Sequence, residues 1–276
     1  MTDLQITSPA NPRVKALVAL RRRRARDAAG HTLIEGLAET SLAVAAGVRP
    51  HSLYLCEELM AAPQDAVPLA AAVRATGGEV VRLSRAVFDK VAYREGPDGV
   101  LAVAAQPGRA LADLTLPAAP LLLLSQGVEK PGNLGAMLRT ADAAGVAAVI
   151  AADPVTDWGN PNVIRASKGT VYAVPVAAAT TAETLGWLAD RGIALVATTP
   201  DTDLRHTDVD LTGPVAVAVG TEQTGLDAVA LDAATHRVRI PMAGRADSLN
   251  VATAAAIVLY EAVRQRLVAR AATSPG

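Results

Sequence analysis

The sequence predicts an α/β protein with mainly parallel strands, and three observations carry that prediction. Short runs of Val, Leu, Ile and Ala alternate with stretches of helical period along both halves of the chain. Hydrophobic residues make up 51% and charged residues 19%, a balance that builds a buried core and excludes global disorder. The length, 276 residues, gives room for one large domain or two modest ones. Aromatic residues are only 3%, so Ala, Val and Leu must fill the core. That scarcity disfavours a binder that holds bases mainly on aromatic platforms.

In the first half, strands are expected at Thr32–Glu35, Ser52–Leu55, Glu79–Leu83 and Gly99–Ala105. Helices are expected near Val14–Arg26, Leu37–Ala46, Ala66–Thr76 and Arg85–Val91. A Pro- and Gly-bearing stretch follows, with Pro107, Gly108 and Pro117, and residues 106–119 read as a linker between a domain at 1–105 and one at 120–276. The second half opens with the apolar run Leu121–Ser125, fit for a central strand. Further strands are expected at Ala147–Ala152, Tyr172–Val176, Ile193–Thr198, Val215–Gly220 and Arg237–Ile240. One long helix, Ser248–Arg270, closes the chain, and its portion Val251–Leu259 is apolar nearly all round.

The net charge of −1 does not announce a nucleic-acid binder, but the charge is unevenly placed. Arg13, Lys15, Arg21, Arg22, Arg23, Arg24 and Arg26 fall within one short run that can meet a phosphate backbone. Cys56 is alone, so no internal disulfide forms, and it follows an apolar stretch that suits a buried thiol. With no charged-then-apolar leader and no membrane-length apolar stretch, a cytoplasmic protein is expected. The four histidines, at 31, 51, 206 and 236, share no ligand-like spacing, so no metal site is expected. Walker, G-x-G-x-x-G, H-E-x-x-H and G-x-S-x-G patterns are absent from the sequence.

Three polar clusters lie where strands of the second half should end, the place where open α/β sheets put ligands. The first runs from Lys130 to Ala141; Asn133 is suited to cap a helix starting at Leu134, with Arg139 six residues on. The second, Gly220-Thr221-Glu222-Gln223-Thr224-Gly225-Leu226, sets a carboxylate at a strand end between two glycines. The third runs from Ile240 to Val251, with Ser248 suited to cap the long helix and Asn250 in its first turn. Each alone is explained by capping and turns.

Taken in order, the three clusters resemble the SpoU (TrmH-type) family of the SPOUT methyltransferases. Asn133-Leu134-Gly135-Ala136 with Arg139-Thr140-Ala141, Gly220-Thr221-Glu222 with Gly225-Leu226, and Ile240-Pro241-Met242 with Ser248-Leu249-Asn250-Val251 match its three motifs. Ala252-Thr253 departs from the family's usual residues there. The first half, through Ser8–Lys15 and Leu33-Ile34-Glu35-Gly36, resembles the smaller L30e-like substrate-binding domain found in this family. The resemblance implies a C-terminal SPOUT α/β domain with a deep trefoil knot, a homodimer with shared active sites, and S-adenosyl-L-methionine as cofactor. It places the cofactor against Thr198, Thr199, Pro200, Gly220, Thr221, Glu222, Ile240, Met242, Ser248 and Leu249, and assigns the chemistry to Arg139 with Asn133, Glu222, Ser248 and Asn250.

The implied reaction is methyl transfer to a ribose 2′-hydroxyl of structured RNA. A guanidinium stays protonated, so Arg139 suits gripping the target phosphate better than removing a proton. Ribosomal RNA is the favoured substrate, with protection of a ribosome from an antibiotic as one biological role. Transfer RNA is the nearest rival. A non-catalytic RNA-binding or ribosome-assembly protein of the same fold is the rival from another class.

Overall fold

The computed structural model describes residues 4–273. The chain forms two compact units. The first runs to Pro107 and also takes in Asp157–Ala173, while the second comprises Gly108–Thr156 and resumes at Val174.

The first unit contains β1 (Leu4–Ile6), α1 (Pro12–Ala19), α2 (Arg23–Ala29), β2 (His31–Glu35), α3 (Leu37–Ala45) and β3 (Ser52–Leu55). It continues with α4 (Val67–Ala75), β4 (Glu79–Leu83), α5 (Arg85–Val91) and β5 (Val100–Ala105). The sheet order is β1-β4-β3-β5-β2. Its pairs are parallel except where β5 runs antiparallel to β3 and β2, so this sheet is mixed. On one side Val14, Leu17, Leu33, Phe88 and Leu101 pack into a core that encloses Cys56. Burial raises the pKa of that thiol, as expected for an inert one.

Two expectations change here. The helix expected over Val14–Arg26 is two helices, because Arg22 takes an extended conformation between α1 and α2. The short edge strand β1 was not anticipated; three residues carry too little periodicity to signal a strand.

The second unit contains β6 (Leu121–Gln126), α6 (Pro131–Ala143) and β7 (Ala148–Ala152). The chain then passes through α7 (Pro161–Ala166), which belongs to the first unit. It resumes with β8 (Val176–Ala179), α8 (Thr181–Asp190), β9 (Ala194–Thr198), β10 (Val215–Val219), α9 (Ala228–Asp232), β11 (His236–Val238) and α10 (Val251–Thr273). The sheet order is β11-β9-β10-β6-β7-β8, and every pair is parallel. β6 and β10 are buried throughout, as their unbroken apolar runs require. Because all six strands run one way, the loops after β6, β9, β10 and β11 leave from one edge of the sheet.

The excursion of residues 157–173 was not expected, since everything beyond residue 120 read as one domain. Within the first unit α7 packs on β2, and Trp158, Val163, Ile164 and Val171 are buried. Thr32 Oγ1 donates to the Gly159 carbonyl at 2.5 Å, and Asn162 Nδ2 donates to Tyr93 Oη at 3.3 Å. The strand expected at Tyr172–Val176 is a 3-10 turn at Thr170–Tyr172, with β8 starting where that strand should have ended. Gly169, at φ +85°, opens that turn, and a Cβ there would lie 2.9 Å from the Glu39 carbonyl. The stretch read as a linker is also ordered: Leu114 is buried in the second unit's core, and Arg109 N donates to the Val176 carbonyl at 2.9 Å.

Candidate active site

The three motifs converge at the carboxyl edge of the second sheet. β6 ends at the buried Gln126, whose Nε2 donates to Thr181 Oγ1 at 2.8 Å and whose Oε1 accepts from Asp227 N at 2.9 Å. The first motif follows. α6 begins at Pro131, not at Leu134, so Asn133 stands in the first turn and its side chain is free for other partners. Helix entry at Pro131 follows from proline's fixed φ and missing N–H, which suit the first helical position.

The second motif folds into a closed loop. Thr221 N donates to the Gly225 carbonyl at 3.0 Å, and Gly225 N returns a bond to the Thr221 carbonyl at 3.1 Å. The hydroxyls of Thr221 and Thr224 share a hydrogen bond of 2.8 Å. Gly225 takes φ +69°, and a Cβ on Gly220 would lie within 2.2 Å of the Gly225 and Leu226 backbone. Both positions therefore require glycine.

The third motif ends in the cap of α10. Asn250, not Ser248, caps the helix: its Oδ1 accepts from Ala252 N at 3.0 Å. Ser248 lies three residues before the first residue of the helix and is exposed. The capping role expected of Ser248 thus falls to Asn250, which was expected one step further on, in the first turn.

One polar network joins the motifs. Asn250 Nδ2 donates to Asn133 Oδ1 at 3.1 Å. Asn133 Nδ2 donates to Glu222 Oε1, and Lys130 Nζ donates to Glu222 Oε2. The chain of bonds runs from the N-terminus of α10 through two amides to a carboxylate held by a cation. Residues 117 positions apart are brought into contact. Lys130 opens the first cluster in sequence, but its role was hidden because its partner is 92 residues away. Gln126 escaped it because it sat in an apolar strand.

Arg139 lies outside this network. Six residues beyond Asn133 along α6, it is exposed, about 9 Å further along the helix axis and on a different face. Among the cofactor candidates, Thr198 Oγ1 is buried at the end of β9 and finds no hydrogen-bond partner among the described residues. Thr199 N donates to the Val238 carbonyl at 2.9 Å, tying the loop after β9 to β11. Ile240 and Leu249 are half-exposed and Met242 is exposed in the loop before α10.

The RNA candidates of the first unit divide. Arg26 is buried, 2% exposed, and pairs with Asp157 at 2.5 Å, so it is withdrawn as an RNA contact. Its guanidinium also donates to the carbonyls of Leu20 and Arg21. Arg21 donates to the carbonyls of Lys90 and Ala92 at the end of α5, where the helix dipole favours a cation. Arg13 pairs with Glu79 at 2.6 Å. Lys15, Arg22, Arg23 and Arg24 are exposed.

These features define an α/β protein whose polar site is assembled by loops at one edge of a parallel sheet, alongside a separate N-terminal α/β unit. The model of the SpoU rRNA Methylase family matches residues 120–260, and that of the MRM3-like substrate binding domain matches residues 11–102. The chain belongs to the SpoU rRNA methylase family. It is 31% identical to the 23S rRNA (guanosine(2553)-2'-O)-methyltransferase RlmP of Bacillus subtilis, over 93% of this chain and 98% of that one. The crystal structure of an RNA 2'-O ribose methyltransferase is 42% identical, with a TM-score of 0.82, covering 96% of this chain and all of that chain. The AdoMet-bound rRNA methyltransferase from Sinorhizobium meliloti is 33% identical, with a TM-score of 0.86, covering 94% and 97% of the two chains.

Proposed function

We propose that this protein transfers a methyl group from S-adenosyl-L-methionine to a ribose 2′-hydroxyl of ribosomal RNA. The observation that carries the reading is the bonding of Asn133 to both Glu222 and Asn250, which gathers three family motifs at one sheet edge. Ribosomal RNA is favoured over transfer RNA because the near full-length relative RlmP is named for 23S rRNA. Incubating the pure protein with labelled cofactor and 23S rRNA or transfer RNA tests it. Label at one ribose of 23S rRNA is expected, and label on transfer RNA alone would overturn the substrate.

The residues present fit the cofactor. The unpartnered Thr198 hydroxyl offers one hydrogen bond, and Ile240, Met242 and Leu249 offer apolar cover for a ring. Thr199, Pro200, Gly220, Thr221 and Ser248 line the same loops. The bound cofactor supplies an electrophilic methyl on a sulfonium. The protein's part is to hold the acceptor in line with it, and positioning of this kind supplies much of the acceleration. Arg139, exposed and carrying a two-pronged donor, grips the phosphate of the target nucleotide and stabilises charge developing on the acceptor oxygen. Asn133, Glu222 and Asn250 hold the three motif loops in register with one another. Both oxygens of Glu222 accept hydrogen bonds, from Lys130 and Asn133, so it serves as a brace between the motifs.

Family likeness supports a trefoil knot in the second unit, a cytoplasmic location and a homodimer. Within the apolar stretch Val251–Leu259, Val251, Ala252, Ala255, Val258 and Leu259 are buried in their own unit. The large exposed hydrophobic residues of α10 are Tyr260, Leu267 and Val268, and these form the interface. Light scattering should give twice the chain mass at micromolar concentration, and charged replacements at Tyr260 and Leu267 should shift it to monomer.

A further inference from the structure

The polar network contains one residue that neither the motifs nor the family likeness account for. Lys130 occupies the N-cap of α6, where its side chain caps nothing. A cation at a helix N-terminus is electrostatically misplaced. It is set against this cost by one contact, the ion pair with Glu222. Glu222 stands on the loop after β10, so the pair ties the first motif to the second directly.

We infer that Lys130 is a positioning residue for methyl transfer, acting through Glu222 to fix the orientation of Asn133. The inference rests on the methyl-transfer reading above. An amide such as Asn133 is nearly symmetric in shape and can present either oxygen or nitrogen on a given side. Its orientation is set by its partners: Glu222 requires a donor, and Asn250 Nδ2 requires an acceptor. The arrangement is consistent only while Glu222 aims an acceptor oxygen at Asn133. Lys130 holds the other carboxylate oxygen and so aims it. Without the ammonium the carboxylate is free to rotate into water, and the bond to Asn133 is lost with it. Lys130 is itself largely exposed, 70% by side chain, so its competing role is a direct contact to an RNA phosphate.

A double-mutant cycle separates the two roles. K130M should lower kcat about tenfold or more, the scale of one hydrogen bond to a charged group, with KM for 23S rRNA and cofactor affinity within about twofold of wild type. K130R should recover most of the rate, since it keeps the cation. In an E222Q background, K130M should cost nothing further, because the residue through which it acts is already changed. Additive losses in the double variant, or a raised KM for RNA with kcat intact, would overturn the inference and make Lys130 a phosphate contact. A readout independent of activity is the NMR signal of the Asn133 side-chain amide, assigned by its loss in N133A. It should move alike in K130M and E222Q. An unmoved signal in K130M sinks the inference even if no RNA is methylated, whereas inactivity of the wild-type protein alone would count only against the methyl-transfer reading.

Discussion

The basic run of the first unit and the polar motifs of the second behave in opposite ways. In the sequence the run is conspicuous, seven cations within a few turns, and reads as a single RNA-facing surface. In the structure it disperses: Arg26 is buried, Arg21 binds the end of α5, Arg13 pairs with Glu79, and only part of the run is left to solvent. The motifs are each inconspicuous, spread from Asn133 to Val251, and explicable as caps and turns. In the structure they bond to one another. Closeness in sequence therefore says less than position at strand ends, because a parallel sheet brings every carboxyl-end loop to one edge. Charge in a helix, by contrast, points all round its axis, and some of it must face inward or sideways.

The largest test of this contrast is truncation. If the motif-bearing half were self-sufficient, a chain starting near Ala118 would fold and bind cofactor. The structure argues otherwise. Such a chain keeps residues 157–173 but loses β2, on which α7 packs, and exposes Trp158, Val163, Ile164 and Val171. Expected are poor solubility and no cooperative unfolding transition, read by calorimetry. A sharp transition with full cofactor affinity would restore the simple division at residue 120.

Next in size is the buried pair. Replacing Arg26 by Ala strands the Asp157 carboxylate, which is only 14% exposed, and breaking such pairs costs roughly 3–5 kcal/mol. Urea unfolding should register that loss, while the double replacement R26M with D157L should recover much of it. A change below about 1 kcal/mol, the range of exposed pairs, would return Arg26 to the surface and to the RNA.

The excursion at 157–173 and the buried Arg26–Asp157 pair mark where legibility ends. The strands were nearly all read correctly because β6, β7, β9 and β10 are continuous apolar runs that no helix face would match in length. The motif residues were legible because glycine constraints such as Gly220 and Gly225 leave a trace in sequence. The excursion at 157–173 left none: Trp158, Val163 and Ile164 are as apolar as any core residues, and nothing in their pattern says which core they join. That Asn250 and not Ser248 caps α10 was equally hidden, since both are good capping residues and only the true start of the helix decides between them.

On the motif side, R139K should reduce kcat by about 10²–10³, the scale of removing a donor aimed at developing charge. The guanidinium's paired N–H groups are lost while the charge is kept, so the effect is one of geometry. Cofactor affinity, by calorimetry, should hold, because Arg139 is not on any cofactor loop. Near-normal turnover would take Arg139 out of the mechanism and leave the network around Glu222 as the whole of the site.

The smallest effect concerns what is left of the basic run. Lys15, Arg22, Arg23 and Arg24 are exposed, and Arg23 has a loose contact of 3.6 Å with Asp27. Ala replacing Arg22, Arg23 and Arg24 together should leave stability nearly unchanged, since exposed charges contribute little to folding. RNA affinity should fall, and its dependence on salt should flatten by up to about 0.7–0.9 log units for each phosphate contact removed. Titrations of RNA at several salt concentrations measure this, with cofactor titrations beside them that should not move. Arg26 supplies the control. Its replacement should alter unfolding and leave the salt slope of the remaining folded protein as it was, whereas the triple variant should do the reverse. If both variants change the slope equally, burial in the first unit does not decide which arginines meet RNA. If neither does, the exposed residues form a solvated helix face, and the phosphate contacts must be sought on other surfaces of the substrate-binding domain.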